Sequence, residues 1–139
     1  MGRPWEEALL PDDSRELDPV FSPLGEERYA LGLETIYEGY LVHYGRPRLF
    51  SPAEGDVALL LGDYLYAHGL VRIAATGDLN AVATLAELIS TCAHLRAEQA
   101  EGDGEAWVDA AQRLGGDPDG AAVARALATH GSRLGKLAP

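Results

Sequence analysis

Glu34 and Glu38 stand four residues apart in a stretch that reads as helix, which puts both carboxylates on one face. Asp63 sits in the middle of a second, apolar helix, Leu59-Leu60-Leu61-Gly62-Asp63-Tyr64-Leu65-Tyr66-Ala67-His68, and Arg46 and Arg48 occupy the tight connection between the two. A carboxylate pair facing another carboxylate is the donor set of a hard divalent cation such as magnesium, and nearby arginines suit a diphosphate. The plain alternative for glutamates at this spacing is a solvated helix face. Asp63 sharpens the question. Val57, Leu61, Tyr64, His68 and Val71 form one stripe of its helix, and Leu60, Ala67, Leu70 and Ala74 form another beside it. With so little solvent face, the helix is expected to lie buried among others. A buried carboxylate then needs a partner, a metal or a proton.

Other constellations carry less chemistry. His43, His68 and His94 fall on three successive expected helices, but no Glu-x-x-His pair of the ferritin-like kind occurs, and His94 lies on a polar stripe. His68 follows Tyr64 by one turn, so a buried network of Asp63, Tyr64 and His68 is one arrangement open to this helix. Tyr37, Tyr40, Tyr64 and Tyr66 offer large apolar surface with a polar tip, which serves a core, a tunnel wall or an interface equally well. Cys92, on an apolar face, reads as a small hydrophobe. No Gly-rich phosphate loop, nucleophile elbow or Ser/His/Asp order is visible.

Composition narrows the classes. A chain of 139 residues suits one domain. Its net charge of −11 and pI near 4.6 argue against nucleic acid, because no basic stripe exists to displace counterions from phosphate. Anionic membrane surfaces are disfavoured for the same reason. A single cysteine excludes an intrachain disulfide framework or a cysteine-based zinc site. The apolar run from Val57 to Val71 falls short of the ~20 residues of a membrane span, and the acidic N-terminus lacks an apolar signal region. The expectation is a soluble cytoplasmic domain with no transmembrane segment.

The elements that must position these residues are helical throughout, giving an all-α bundle of three long helices with shorter C-terminal ones. Residues 1–22 read as an acidic arm punctuated by Pro4, Pro11 and Pro19, which cannot form a long helix. Trp5, Leu9, Leu10, Val20 and Phe21 are its expected anchors, whether it is a packed tail or a partner-binding arm. Residues 23–101 hold the three-helix core. Its first helix runs from Pro23 or Gly25 to Tyr44, where Gly45-Arg46-Pro47 stops it. The second starts at Ser51-Pro52-Ala53-Glu54, which reads as a capping box, and ends near Thr76-Gly77. The third runs from Asp78 to about Gln99, with a polar stripe through Asn80, Thr84, Glu87, Thr91, His94 and Glu98. Val82, Leu85, Ala86, Ile89, Cys92 and Ala93 form its expected buried face. Residues 102–139 form a C-terminal helical extension: Glu105 to Leu114, anchored by Trp107 and Val108, then Asp119 to Leu134, amphipathic through Val123, Ala126, Leu127, His130 and Leu134, with a fraying end.

Glycines refine the packing. Gly25, Gly32 and Gly39 recur every seven residues on the first helix, and Gly62 and Gly69 do so on the second. Helical glycine costs about 1 kcal/mol relative to alanine. Unless the spacing is accidental, that cost is offset by close backbone approach or by room for a ligand. A crossing of the first two helices at these glycines is the prediction.

Taken in order, Glu34-Thr35-Ile36-Tyr37-Glu38, Gly45-Arg46-Pro47 and Ala58-Leu59-Leu60-Leu61-Gly62-Asp63-Tyr64-Leu65 resemble the first half of the trans-polyprenyl diphosphate synthases. There a DDxxD helix is followed by an Arg-Arg-Gly-Arg/Lys-Pro connection and a Gly-Asp-Tyr-Leu helix. The likeness spans roughly Gly25 to Gln99 and includes Thr76-Gly77-Asp78 and Leu85-Ala86-Glu87-Leu88-Ile89. It implies part of the isoprenoid synthase fold. The departures shape the functional expectation. Glu34 and Glu38 take the outer positions of the acidic motif, Thr35 replaces its second aspartate, and His43 and Tyr44 stand where the family has paired arginines. No second aspartate-rich motif follows. Ionisation of an allylic diphosphate needs magnesium clamped between two acidic helices, so chain elongation by this polypeptide alone is not expected. The resemblance points instead to a non-catalytic subunit, similar to that of heptaprenyl diphosphate synthase, acting through a synthase-like partner or a prenyl-type ligand. Magnesium is expected only if the acidic site is retained. The other reading is a stand-alone helical interaction protein, a homo-oligomer without prenyl chemistry.

Overall fold

The computed structural model describes Glu6 and residues 8–134. Trp5 and the expected fraying end past Leu134 lie outside them. The helices that build the fold are α1 (Ala30–Tyr44), α2 (Gly55–Ala74), α3 (Leu79–Ala97), α4 (Asp103–Arg113) and α5 (Gly120–Leu134). Short 3-10 turns at Asp12–Ser14, Ser22–Leu24 and Glu27–Tyr29 punctuate the segment before α1. No strand is present among the described residues; Leu9 and Phe50 form an isolated antiparallel bridge. The all-α expectation holds.

α1 and α2 form the most extensive helix pair, and glycine is the reason they approach so closely. A Cβ on Gly32 would lie 3.2 Å from the carbonyl oxygen of Gly69, and one on Gly69 would lie 2.9 Å from that of Gly32. One turn-pair further along, a Cβ on Gly39 would meet the carbonyl oxygen of Gly62 at 3.0 Å. The predicted crossing is therefore present, built on Gly32 against Gly69 and Gly39 against Gly62. Gly25 does not join it. It precedes α1 in extended conformation and lies against the carbonyl of Ala111 near the end of α4.

Two helix starts and one buried face differ from expectation. α1 begins at Ala30, because Pro23 and Gly25 are spent on the 3-10 turn Ser22–Leu24 and its extended exit. α2 begins at Gly55, with Glu54 as an N-cap that makes no side-chain capping bond. Ser51 lies four residues before the helix, in a segment paired with the arm: its amide donates to Ala8 O at 2.6 Å, and Leu49 O accepts from Leu10 N at 2.7 Å. Pairing with the arm keeps residues 49–51 extended. On α3 the buried residues are Ala81, Leu85, Leu88 and Cys92, whereas Ala86 and Ala93 face outward. Asp78 caps this helix, accepting from Ala81 N at 3.1 Å and from the Tyr29 hydroxyl at 2.6 Å.

The burial of α2 also departs from the wheel. Leu61, Gly62, Leu65, Gly69 and Ile73 are buried, but Leu60, Asp63, Tyr64, Ala67 and Val71 lie exposed along the opposite side. Among the described residues this helix packs chiefly against α1 and much less against α3, which leaves its other side exposed. At 20 residues and a mean hydropathy of 1.3, α2 is also longer than the run Val57–Val71, and its length and composition alone match a membrane-crossing helix.

One hydrophobic core joins the helices. Leu33, Ile36, Tyr37 and Tyr40 of α1 pack with Leu85, Leu88 and Cys92 of α3, with Trp107, Val108 and Ala111 of α4 and with Ala126 of α5. Phe21, from the segment before α1, stacks on Trp107 with ring centroids 5.5 Å apart. The C-terminal helices thus complete the core that α1 begins. A smaller cluster of Ala8, Val42, Phe50, Leu61 and Leu65 ties residues of the arm to the outer part of the α1–α2 pair.

Candidate functional site

Glu34 and Glu38 are held by the turn geometry of α1 on the face that meets the α1–α2 connection. Both converge on Arg48, which is 5 % exposed. Arg48 Nη1 donates to Glu34 Oε1 at 2.6 Å and Nε donates to Glu38 Oε1 at 3.0 Å. Arg48 also donates through Nη1 to Asp18 O and through Nη2 to Glu34 O. The carboxylates are filled from the backbone as well. Glu38 accepts from the amides of Arg48 and Leu49, at 3.0 and 2.9 Å. Glu34 accepts from the amides of Val20 and Ser22, at 3.1 and 2.8 Å. Burial alone would depress the Arg48 pKa, but the charges of Glu34 and Glu38 push it up. The guanidinium stays ionised inside the protein.

These contacts decide what the acidic pair can do. A magnesium ion needs carboxylate oxygens free to face it in near-octahedral geometry. Here the oxygens face an arginine and four backbone amides. Among the described residues, no three of His, Cys, Asp and Glu stand where they could share a metal ion. The donor set does not fit magnesium, and Arg48 is not available to a diphosphate.

Asp63 lies apart from this cluster. It is exposed, with 65 % of its side chain open to solvent, and Oδ1 lies 3.2 Å from His43 Nε2. The expected burial of Asp63 is therefore wrong. Gly62 creates the notch that allows this contact, since a Cβ there would lie 2.4 Å from the His43 ring. Arg46 is exposed and its side chain lies 3.5 Å from Glu16.

The tyrosines divide among different environments. Tyr37 and Tyr40 are fully buried in the core. Tyr66 is partly buried, with its ring 5.1 Å from that of His43. Tyr64 is partly exposed and stacks on His68 at 5.6 Å with an 8° interplanar angle. The expected network of Asp63, Tyr64 and His68 is not buried: Asp63 lies in solvent against His43, and Tyr64 stacks on His68 at the surface. His94 is exposed on α3, so the three histidines do not converge.

A polar network that sequence reasoning did not assemble lies in the core. The Tyr37 hydroxyl meets His130 Nδ1 at 2.7 Å, and His130 Nε2 meets Asp103 Oδ2 at 2.9 Å. Tyr40 donates to the same oxygen at 2.7 Å, and Arg96 donates to it and to Tyr40, at 2.9 and 3.0 Å. Burial would raise the Asp103 pKa, but hydrogen bonds from His130 and Tyr40 hold it well below the usual carboxylate range. Burial pushes the Tyr37 and Tyr40 hydroxyls far up. The order Tyr, His, Asp resembles a relay, but Tyr37 and His130 are enclosed by Phe21 and Trp107, so the network joins α1, α3, α4 and α5. A histidine on the apolar stripe of the last helix was the available signal, since a buried imidazole requires a partner.

Above the Arg48 cluster lies a cleft of about 260 Å³ whose wall is almost entirely apolar. Leu17, Leu31, Leu49, Phe50 and Leu65 form its sides, Glu34, Glu38 and Arg48 its polar floor, and His68 one edge. Thus four residues picked out by chemistry (Glu34, Glu38, Arg48 and His68) do meet at one place, while Asp63 and Arg46 do not line it.

No protein family, curated protein or solved structure matches this chain.

Proposed function

We propose that the chain is a non-catalytic helical subunit or regulator, related to the polyprenyl diphosphate synthases, that acts in the cytoplasm through a partner protein. The closure of Glu34 and Glu38 on Arg48 carries this reading. Synthase chemistry requires acidic side chains free to clamp magnesium against the leaving diphosphate. In this chain the equivalent carboxylates do structural work, holding the amides of Val20, Ser22, Arg48 and Leu49 against α1. The ordered spacing of Glu34, Gly45-Arg46-Pro47 and Gly62-Asp63-Tyr64-Leu65 supports the relationship. The exposed stripe of Leu60, Tyr64, Ala67 and Val71 on α2 supplies a surface for a helical partner.

The test mixes the purified full chain with isopentenyl and allylic diphosphates and magnesium, alone and with a synthase that has both aspartate-rich motifs. Alone it yields no elongated product. With the synthase it co-elutes and changes product length or rate. Elongation by the chain alone overturns the non-catalytic reading, and absence of any association overturns the subunit reading.

The same α2 stripe favours a second reading, a stand-alone homo-oligomer. Light scattering separates the two: a self-assembly whose mass is unaffected by the synthase favours the second, and it weakens when Val71→Glu is introduced.

A further inference from the structure

The cleft above Arg48 combines three properties that together define a ligand class. It is apolar where a chain would lie, it has no free arginine or lysine among the described residues that line it, and it has one unused polar edge. Leu31 and Leu17 stand at its mouth with 61 % and 78 % of their surface exposed, whereas Phe50 and Leu65 are buried within. Large exposed leucines beside a concave apolar wall are surface that an apolar molecule would cover. At about 30 Å³ per methylene-sized group, the share of one water molecule, 260 Å³ accommodates about nine such groups.

Charge selects the head group. The lining holds three carboxylates (Glu16, Glu34 and Glu38) and one guanidinium, a formal charge of −2, and Arg48 is fully occupied by Glu34, Glu38 and Asp18 O. Arg46 is turned to Glu16, and Arg133 pairs with Glu16 as well. An anionic head entering here would lose hydration and meet net negative charge without a cation in return. His68 lines the cleft, stacks its ring on Tyr64, and makes no hydrogen bond through its nitrogens to the described residues. It offers a hydrogen bond to one neutral oxygen.

We propose that this cleft binds a neutral medium-length lipophile with a hydroxyl or carbonyl head, its chain against Leu17, Leu31, Phe50 and Leu65 and its oxygen on His68, and that it rejects the phosphorylated form. This deepens the non-catalytic reading and rests on it at one point, that Glu34 and Glu38 hold no metal.

The test is displacement of the neutral fluorophore N-phenylnaphthylamine from the full chain by decanol, decanoate and decyl phosphate, with and without magnesium. Decanol is expected to displace the probe at least about tenfold more effectively than either anion, with no effect of magnesium. Leu31→Asp, an exposed change that leaves the core intact, is expected to weaken decanol about tenfold or more by charging the mouth. His68→Ala is expected to weaken decanol about fivefold relative to the fluorophore, whose own affinity is measured on the same variant. Absence of saturable binding, or displacement indifferent to Leu31→Asp, overturns the proposal and leaves the subunit reading standing. Magnesium-dependent preference for decyl phosphate overturns both.

Discussion

The backbone amide and the Nε–H of Arg48 both donate to the carboxylate of Glu38, each at 3.0 Å. One side chain on α1 therefore fixes both the path of the chain after Pro47 and the guanidinium that emerges from it. Arg48→Met would leave two largely buried carboxylates facing each other without a cation. Breaking a buried ion pair from one side costs about 3–5 kcal/mol, and a loss of that order is expected in urea unfolding. Arg48→Lys should restore only part of it, because an ammonium cannot reproduce the forked contact to both glutamates.

Gly69→Ala should destabilise despite alanine's better helix propensity. Its Cβ would lie 2.4 Å from Ile36 Cγ1 and 2.9 Å from the backbone carbonyl of Gly32. Overpacking of this kind costs about 1–3 kcal/mol. Gly131→Ala on α5 meets nothing within 4 Å and should stabilise by about 0.5–1 kcal/mol. Thermal melts of the two variants should move in opposite directions.

The Asp103 network predicts an acid limb. The carboxyl's folded pKa lies below its unfolded value of about 3.9, so its contribution is present above that pH and is lost as pH falls toward the folded value. The stability difference between the native protein and Asp103→Asn should therefore shrink as melts are taken from pH 5 down through about pH 3. Tyr37→Phe removes the partner of His130 Nδ1 and should cost about 1–3 kcal/mol at neutral pH.

The core also predicts an alkaline limb of opposite sign. Burial pushes the Cys92 thiol up to about 12, against an unfolded value near 8.5. Because the folded pKa is the higher one, stability is full below about pH 8.5 and declines as pH rises toward 12. Tyr37, Tyr40 and Tyr66 add to the decline above about pH 10. Urea midpoints should fall from pH 8 upward, and Cys92 should react with a thiol reagent in the native state far more slowly than in urea.

Asp63→Asn should change stability by no more than about 0.5 kcal/mol, since the carboxylate is largely solvated and its partner His43 keeps its packing against Gly62 and Tyr66. A loss of several kcal/mol in unfolding would contradict the exposed placement described above.

The helical class and the meeting of α1 with α2 were legible in the order of residues alone. Apolar periodicity and heptad-spaced glycines are local patterns, and a glycine stripe has few uses other than close approach. The same order also marked Trp107, Val108, Ala126 and His130 as inward-facing, because amphipathic periodicity reports burial wherever a helix has one clear polar side. α2 lacked such a side, and so its pattern could not say which apolar face would find a partner. Only the tertiary structure left Leu60 and Val71 outside and put Asp63 in solvent. The pairing of Glu34 and Glu38 with Arg48 was equally hidden. Spacing placed two carboxylates on one face and an arginine in the next connection, but an ion pair and a metal clamp begin from the same carboxylates. The direction taken by the chain after Pro47, stabilised by residues 8–10 and by two amides on Glu38, turned the arginine inward and made the choice.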